Sequence, residues 1–192
     1  MDEAESTRDL ILANAARLFA ARGYDAVSVG ELVEAAGVTK PSLYHWFGSK
    51  RGLLDALVGE RGAAFLSAAD AGAGTEADVP RGLELIAFAL VRASRADPDF
   101  ARLRLALSWA PPASEAALSA HGFNSTLRGT LEAWFRGAER HHGNMRGRSR
   151  AFALSFLGVL DARVGLELAG EASLGDHELR ELIRQFMHGI FS

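Results

Sequence analysis

Cysteine is absent from this chain of 192 residues, which excludes disulfide bonds and thiolate metal sites. An excess of positive charge is also absent, since 24 acidic residues outnumber 21 lysines and arginines and leave a formal net charge of -3. The protein is therefore not a generally basic nucleic-acid coat, and any binding to DNA has to use a local patch. No uninterrupted apolar run is long enough to span a bilayer, and the acidic start M-D-E-A-E has neither region of a signal peptide. We therefore expect a soluble protein of the cytoplasm.

Recognisable catalytic motifs are missing as well. The sequence contains no P-loop, no G-x-S-x-G and no H-E-x-x-H pattern. The neighbouring His141 and His142 have no third ligand spaced close to them, so we expect them in an exposed turn. We therefore expect no catalytic residue, no metal and no cofactor, and we do not expect an enzyme. An enzyme that uses the aromatic residues of the C-terminal part is an alternative, but no nucleophile–base pair supports it.

What the sequence does contain is helical periodicity. Hydrophobic residues make up 48% of the chain, which is enough for a sizeable core. Nearly every segment repeats its apolar residues at helical spacing, and no alternating strand pattern of useful length is present. We predict an all-α fold of about nine helices, with a three-helix head at residues 1–51 and a helical body at residues 52–192.

Two short capped helices lie inside the predicted head. Ser28 with Glu31 three residues later forms a capping-box pattern at the start of the first helix. Gly37 is expected to end that helix, because glycine readily takes the left-handed conformation of a helix C-terminus. Thr39 is placed to cap the next helix. Two helices joined by a short turn with glycine are typical of a helix-turn-helix, whose second helix can enter the major groove of DNA.

Three segments and one lysine resemble the DNA-binding domain of the TetR family of bacterial transcriptional regulators. They are Ile11–Tyr24, Ala35–Val38, Leu43–Phe47 and Lys50. The resemblance covers about the first third of the chain; beyond it only the helical pattern agrees. It implies a homodimeric regulator that binds a palindromic operator in double-stranded DNA and responds to a small molecule bound in the body.

Polar side chains of the second motif helix are the candidates for DNA contact. Lys40 can reach a guanine edge, Ser42 can bond either base type, and Tyr44 can donate its hydroxyl to a phosphate. Lys50 and Arg51 stand in the first turn of the following helix, where the helix dipole favours anions, and a bound phosphate would remove that conflict. Together with the roles that the resemblance implies, the predicted DNA-binding residues are Ser28, Thr39, Lys40, Pro41, Ser42, Tyr44, His45 and Lys50.

An alternative interpretation is a helical hairpin that packs on the first helix and has only a solvated polar face. Three glycines also bear on how the segment would dock on DNA. Gly30 is expected to weaken the first motif helix by about 0.5–1 kcal/mol relative to alanine. Gly48 and Gly52 are expected to loosen the exit from the second motif helix.

The body carries two further predictions. Aromatic and apolar residues of the middle helices, with one histidine, are predicted to line a ligand site, since such sites have apolar walls with few polar groups: Phe88, Leu103, Leu107, Trp109, His121, Phe123, Leu127 and Trp134. Apolar residues of the last two helices are predicted to form a dimer interface, as the resemblance also implies: Phe152, Phe156, Val159, Leu179, Leu182, Ile183, Phe186 and Met187. Both sets can equally be core residues of a single chain, and that alternative stays open here.

These patterns favour a sequence-specific DNA-binding regulator. We expect a repressor that a small apolar or aromatic ligand releases from its operator, with homodimers as the binding species and no membrane partner. The alternative function is a helix-turn-helix DNA-binding protein that has no ligand switch.

Overall fold

The computed structural model describes the backbone of residues 3–191 and the side chains of residues 7–188, so Met1, Asp2 and Ser192 lie outside it. Within this range the fold consists of helices and contains no strand, which confirms the predicted all-α class. The helices are α1 (Glu3–Arg22), α2 (Val29–Ala36), α3 (Lys40–Phe47), α4 (Lys50–Ala69), α5 (Val79–Ala96), α6 (Pro98–Ser108), α7 (Glu115–Ala138), α8 (Ser149–Ala169) and α9 (Asp176–Phe191). Two short 3₁₀ segments lie at Asp70–Gly72 and Gly143–Met145.

The chain folds into two compact units. The first unit comprises Met1–Ala63 and Asp97–Phe123, and the second comprises Ala64–Ala96 and Asn124–Ser192. Helices α4 and α7 each contribute residues to both units. The functional boundary after residue 51 stays a prediction, because the division into units follows packing and not DNA or ligand binding.

Helix α2 begins and ends as its sequence predicts. The Glu31 amide donates to Ser28 Oγ at 3.3 Å, and the Ser28 amide donates to the Glu31 carboxylate at 2.8 Å, which completes the capping box. The Ser28 amide and then Arg22, whose guanidinium lies 2.5 Å from that carboxylate, lower the pKa of Glu31 to about 2. Gly37 ends the helix with φ of 64°, in the left-handed region that suits glycine.

The first unit has an apolar core between the three helices of the head, α1, α2 and α3. Ile11 and Phe19 of α1 and Leu43 of α3 are buried, and α1 also packs on α6. Arg8 of α1 forms an ion pair with Glu60 of α4. This packing leaves the opposite side of α3 facing away from the core.

Aromatic residues fill the interior of the second unit. Phe135 of α7 lies within ring-contact distance of Phe152 and Phe156 of α8 and Phe186 of α9, at centroid separations of 5.8, 6.2 and 6.4 Å. In this part of the chain α5 contacts both α8 and α9. None of the described helices is long and apolar enough to cross a membrane.

Candidate nucleic-acid interface

The start of α3 has a side-chain cap and a proline in its first turn. Thr39 has extended backbone geometry, and its Oγ1 accepts a hydrogen bond from the Ser42 amide at 3.4 Å. Pro41 lies in the first turn, where it removes no helical hydrogen bond. The helix therefore starts in a fixed position, with its first residues available at the surface.

Exposed and buried side chains of α3 lie on opposite sides. Lys40, Pro41 and His45 are exposed, and Tyr44 has 47% of its surface accessible. Ser42 is half-buried, whereas Leu43 is fully buried beneath them. The predicted contact residues of this helix thus stand around a buried anchor, on the side that can approach a partner.

The junction between α3 and α4 is tight. Gly48 has φ of 71°, and its amide donates to the Tyr44 carbonyl at 2.9 Å. Ser49 Oγ accepts from the Gly52 amide at 2.9 Å, which caps α4. A Cβ atom on Gly52 would collide with the Phe47 carbonyl oxygen. The expectation that Gly48 and Gly52 loosen this exit is wrong, because Gly52 permits a close approach of the backbones and Gly48 adopts the positive φ with which its amide bonds the Tyr44 carbonyl.

The two cations at the start of α4 have different surroundings. Lys50 Nζ lies 4.1 Å from the centroid of the Tyr24 ring, and burial lowers the pKa of this half-buried lysine. Arg51 is 3.8 Å from the Asp55 carboxylate one turn along the helix. Lys50 is therefore held at one end of the exposed segment by a ring that the sequence did not identify as its partner.

The same tyrosine links the head to a distant part of the sequence. Its hydroxyl donates a hydrogen bond to the Glu115 carboxylate at 2.6 Å, across 91 residues of chain. Sequence reasoning missed this constellation of Tyr24, Lys50 and Glu115. The tyrosine was visible only as the last residue of a segment with a family resemblance, and no local signal relates Glu115 to it.

Ser28 stands at the start of the other motif helix. It is exposed, and its Oγ and amide are both engaged in the capping box. A hydrogen bond from the Ser28 hydroxyl also helps to lower the pKa of Glu31, so the side chain and the amide of Ser28 are both engaged with Glu31. The phosphate contact of Ser28 stays a prediction.

The residues predicted to line a ligand site are divided between the two units. Phe88, Leu127 and Trp134 belong to the second, and the others belong to the first: Leu103, Leu107, Trp109, His121 and Phe123. Leu103 and Leu107 line a groove of about 310 Å³ beside the turn after α1. Trp109 is 85% exposed, and His121 is exposed as well.

The remaining residues of this set have separate environments. Phe88 lies beneath the Arg180 guanidinium at 5.3 Å, and Phe123 packs edge-on against Phe100 at 6.1 Å. Leu127 is buried. Trp134 is also buried and occupies the space left by the missing side chains of Gly72 and Gly82, while its indole N–H donates to the Gly72 carbonyl at 2.8 Å.

The residues predicted for the dimer interface are partly core residues of the single chain. Buried in it are Phe152, Phe156, Leu179, Leu182 and Ile183. Phe186 and Met187 are half-buried, and Val159 is 42% exposed. Phe152, Val159, Leu182 and Phe186 line a surface groove of about 450 Å³ between α8 and α9.

Comparison with known proteins identifies the head. Residues 11–57 match the family model described as bacterial regulatory proteins of the tetR family. The HTH-type transcriptional repressor BdcR of Escherichia coli (strain K12) is 49% identical over 43 residues, which are 22% of this chain and 22% of that protein. The match thus spans about a fifth of the length of that relative.

Solved structures agree with the fold over almost the whole chain. The TetR family transcriptional regulator PfmR from Thermus thermophilus has a TM-score of 0.71 at 24% identity, covering 95% of this chain and 94% of its own. The transcriptional regulator FadR from Bacillus subtilis, solved in complex with stearoyl-CoA, has a TM-score of 0.70 at 17% identity and covers 95% and 97%. The helix-turn-helix of this chain thus matches the tetR family of bacterial regulatory proteins, and the fold of the chain is similar to that of solved TetR family regulators.

Proposed function

We propose that this DNA-binding regulator is a repressor that binds a palindromic operator as a homodimer and leaves it when a small apolar or aromatic ligand binds. The observation that carries the proposal is the exposed side of α3, where Lys40, Tyr44 and His45 surround the buried Leu43. A groove-entering helix needs this arrangement, because its anchor must stay in the core while its polar side chains reach the bases. A DNA-binding role also places the protein in the cytoplasm.

Side-chain chemistry determines which of these residues contact bases and which contact phosphates. Lys40 donates to the O6 and N7 acceptors of guanine, Ser42 serves either base type, and His45 reads a neighbouring edge. Pro41 offers an apolar contact to a thymine methyl group. Tyr44, Lys50 and the capping residues Ser28 and Thr39 hold phosphates, which fixes the register of the helix.

The proposed dimer forms through the outward side of α8 together with α9. Val159 and Leu166 leave large apolar surfaces exposed on α8, and exposed small residues such as Ala151 and Ala162 allow a close approach. The predicted interface residues that are buried within the chain lie beneath this surface. Since one helix-turn-helix covers only a half-site, the dimer is the species that reads a palindrome.

The proposed effector binds in the second unit, where Phe88, Leu127 and Trp134 lie. FadR from Bacillus subtilis was solved with stearoyl-CoA, so an acyl chain is the first apolar group to test on this chain. A ligand that displaces the Trp134 indole breaks its hydrogen bond to the Gly72 carbonyl. Binding of this kind has to favour the DNA-free state over the DNA-bound state if it is to release the operator.

A second candidate function is DNA binding without a ligand switch. The packing of Trp134 against Gly72 and Gly82 favours it, because the indole fills space that a ligand would need. Tight packing and a ligand switch are compatible only if the effector creates its own cavity.

A titration of the operator complex separates the two functions. Stearoyl-CoA is added to protein bound to labelled operator, and coenzyme A without an acyl chain serves as the control. A repressor with an acyl-responsive switch loses about 100-fold in affinity with stearoyl-CoA only, which corresponds to a coupling of about 2.7 kcal/mol. In protein with Trp46→Phe and Trp109→Phe, the fluorescence of Trp134 should change in the same range. Unchanged DNA affinity and fluorescence across stearoyl-CoA and a panel of other apolar and aromatic compounds would favour the unswitched protein.

A further inference from the structure

Tyr24 lies where the turn after α1 meets the start of α7. Only 5% of its surface is accessible, so its ring has little freedom to move. Its hydroxyl donates to Glu115 Oε2 at 2.6 Å, and Glu115 is the first residue of α7. Burial and then the Glu115 carboxylate raise the pKa of the Tyr24 phenol, which therefore stays a hydrogen-bond donor at neutral pH.

The face of the Tyr24 ring contacts the ammonium group of Lys50. Nζ lies 4.1 Å from the ring centroid, which is within the range of a cation–π contact. An ammonium group has three N–H donors, and contact with a ring face does not use all of them. Lys50 is half-buried, so part of the side chain faces solvent at the start of α4.

Lysine has a long flexible stem, and binding a phosphate normally requires that the stem be ordered. A side chain already held against a fixed ring loses less freedom when the phosphate arrives. The ring itself is fixed by packing and by one strong hydrogen bond to an ionised acceptor. The position of the Lys50 side chain thus depends on Glu115, the first residue of α7.

We propose that Tyr24 and Glu115 are positioning residues for DNA binding: Glu115 fixes the Tyr24 ring, and the ring holds Lys50 ready to contact a phosphate. The proposal rests on the proposed phosphate contact of Lys50. Neither Tyr24 nor Glu115 needs to touch the DNA.

The negative charge of Glu115 weakens DNA binding, whereas its hydrogen bond to Tyr24 favours DNA binding. A carboxylate in the head repels the phosphate backbone, so removing the charge alone favours DNA binding. Asp25 and Glu31 add to the negative field around Lys50. A test therefore needs two variants of Glu115. Both must lose the negative charge, and only one of them must lose the hydrogen bond to Tyr24.

Glu115→Gln and Glu115→Ala form such a pair. Both variants lose the charge, but only glutamine keeps an oxygen that can accept from the Tyr24 hydroxyl. Operator affinity is measured by fluorescence anisotropy over a range of salt concentrations, and thermal unfolding monitors the fold. We expect Glu115→Ala to bind about threefold to tenfold more weakly than Glu115→Gln, the range expected for loss of one hydrogen bond.

The two Glu115 variants are then compared again in two further proteins, one that carries Tyr24→Phe and one that carries Lys50→Ala. With Tyr24→Phe there is no hydroxyl to hold, and with Lys50→Ala there is no ammonium to position, so the difference between Glu115→Gln and Glu115→Ala should vanish in both. Equal affinities of the pair in the parent protein would overturn the positioning role, as would a difference that persists with Lys50→Ala. If Lys50→Ala alone leaves affinity and salt dependence unchanged, the phosphate contact itself fails, and both proposals fall together.

Discussion

At the scale of single residues, the exposed segment combines side chains that are free to adapt with side chains that are held. Lys40 and His45 are exposed, whereas Lys50 is half-buried against a ring. Held cations are suited to phosphates, whose positions repeat along any duplex, and free polar groups are suited to base edges that differ between sites. The arrangement matches the division of contacts proposed above.

Lys50→Ala should weaken operator binding and reduce its dependence on salt. Loss of one phosphate contact removes one released counterion, so the slope of log affinity against log salt should become shallower by about one. Fluorescence anisotropy on labelled operator at several salt concentrations measures both quantities. Arg92→Ala removes an exposed cation of the second unit and is the matched control, because its slope should stay that of the parent protein. An unaltered slope in Lys50→Ala would remove Lys50 from the phosphate contacts.

The capping box of α2 should make stability depend on pH. The pKa of Glu31 is lowered to about 2, from an ordinary value of 4.5, by the Ser28 amide and Arg22. Its stabilising contribution is therefore complete above about pH 4.5 and is lost as the pH falls toward 2. The melting temperature of Glu31→Gln, which can keep the capping hydrogen bond but not the charge, should lie below that of the parent protein at pH 6. The gap should stay nearly constant down to about pH 4.5 and then narrow toward pH 3, and a gap that does not change between pH 4.5 and pH 3 would contradict this role of Glu31.

At the scale of elements, the geometry of α3 depends on how α4 starts. The Gly52 backbone lies against the Phe47 carbonyl oxygen, and Ser49 caps the new helix. A helix that reads DNA needs a rigid exit as well as a rigid start, because small rotations displace every side chain along it. The Gly48–Gly52 junction supplies that exit.

Gly52→Ala and Gly59→Ala test this junction within one helix. The new methyl group at position 52 collides with backbone, so unfolding should become easier by about 1–3 kcal/mol, and operator binding should weaken. At Gly59 nothing lies within 4 Å of the new Cβ, and the better helix propensity of alanine should stabilise by about 0.5–1 kcal/mol. Chemical denaturation of both variants provides the free energies. Equal effects of the two substitutions would show that the close approach at Gly52 is not a constraint.

Elements whose signals are local could be predicted from the sequence. The Ser28–Glu31 box, the Gly37 terminus and the Thr39 cap each depend on residues within one turn. The role of Gly52 could not be predicted, because it depends on the angle between α3 and α4. The contact between Tyr24 and Glu115 joins residues 91 positions apart, and no periodicity encodes such a pair.

In the body, the apolar pattern of the sequence does not distinguish contacts within the chain from contacts with a partner. An apolar stripe reports that a helix face is covered, but it does not report whether the cover is the same chain or a partner. Ile183 and Leu179 turn out to be buried within the chain, while Val159 remains exposed. Aromatic spacing likewise could not show that Trp134 would fill the gap at Gly72 and Gly82.

At the scale of the whole molecule, binding to a palindrome requires two copies of the chain. Val159→Asp places a charge on the exposed α8 surface, where it should disrupt association without disturbing the core. Sedimentation velocity at micromolar concentration should show a dimer for the parent protein and monomer for this variant. Leu118→Asp is the control, since Leu118 is 51% exposed on α7 and lies outside the α8 and α9 surface. A parent protein that sediments as a monomer, or a dimer that survives Val159→Asp, would contradict the proposed interface.

The most direct measurement is selection of bound sequences from random double-stranded DNA by the full-length protein, in parallel with Tyr44→Ala. We expect the parent protein to enrich one inverted repeat, with half-sites about one helical turn apart or a multiple of that spacing. We expect Tyr44→Ala to lose that enrichment while keeping the fold, because the Tyr44 side chain is exposed. Recovery of DNA without any common sequence, or the same repeat at the same strength from both proteins, would contradict recognition through α3.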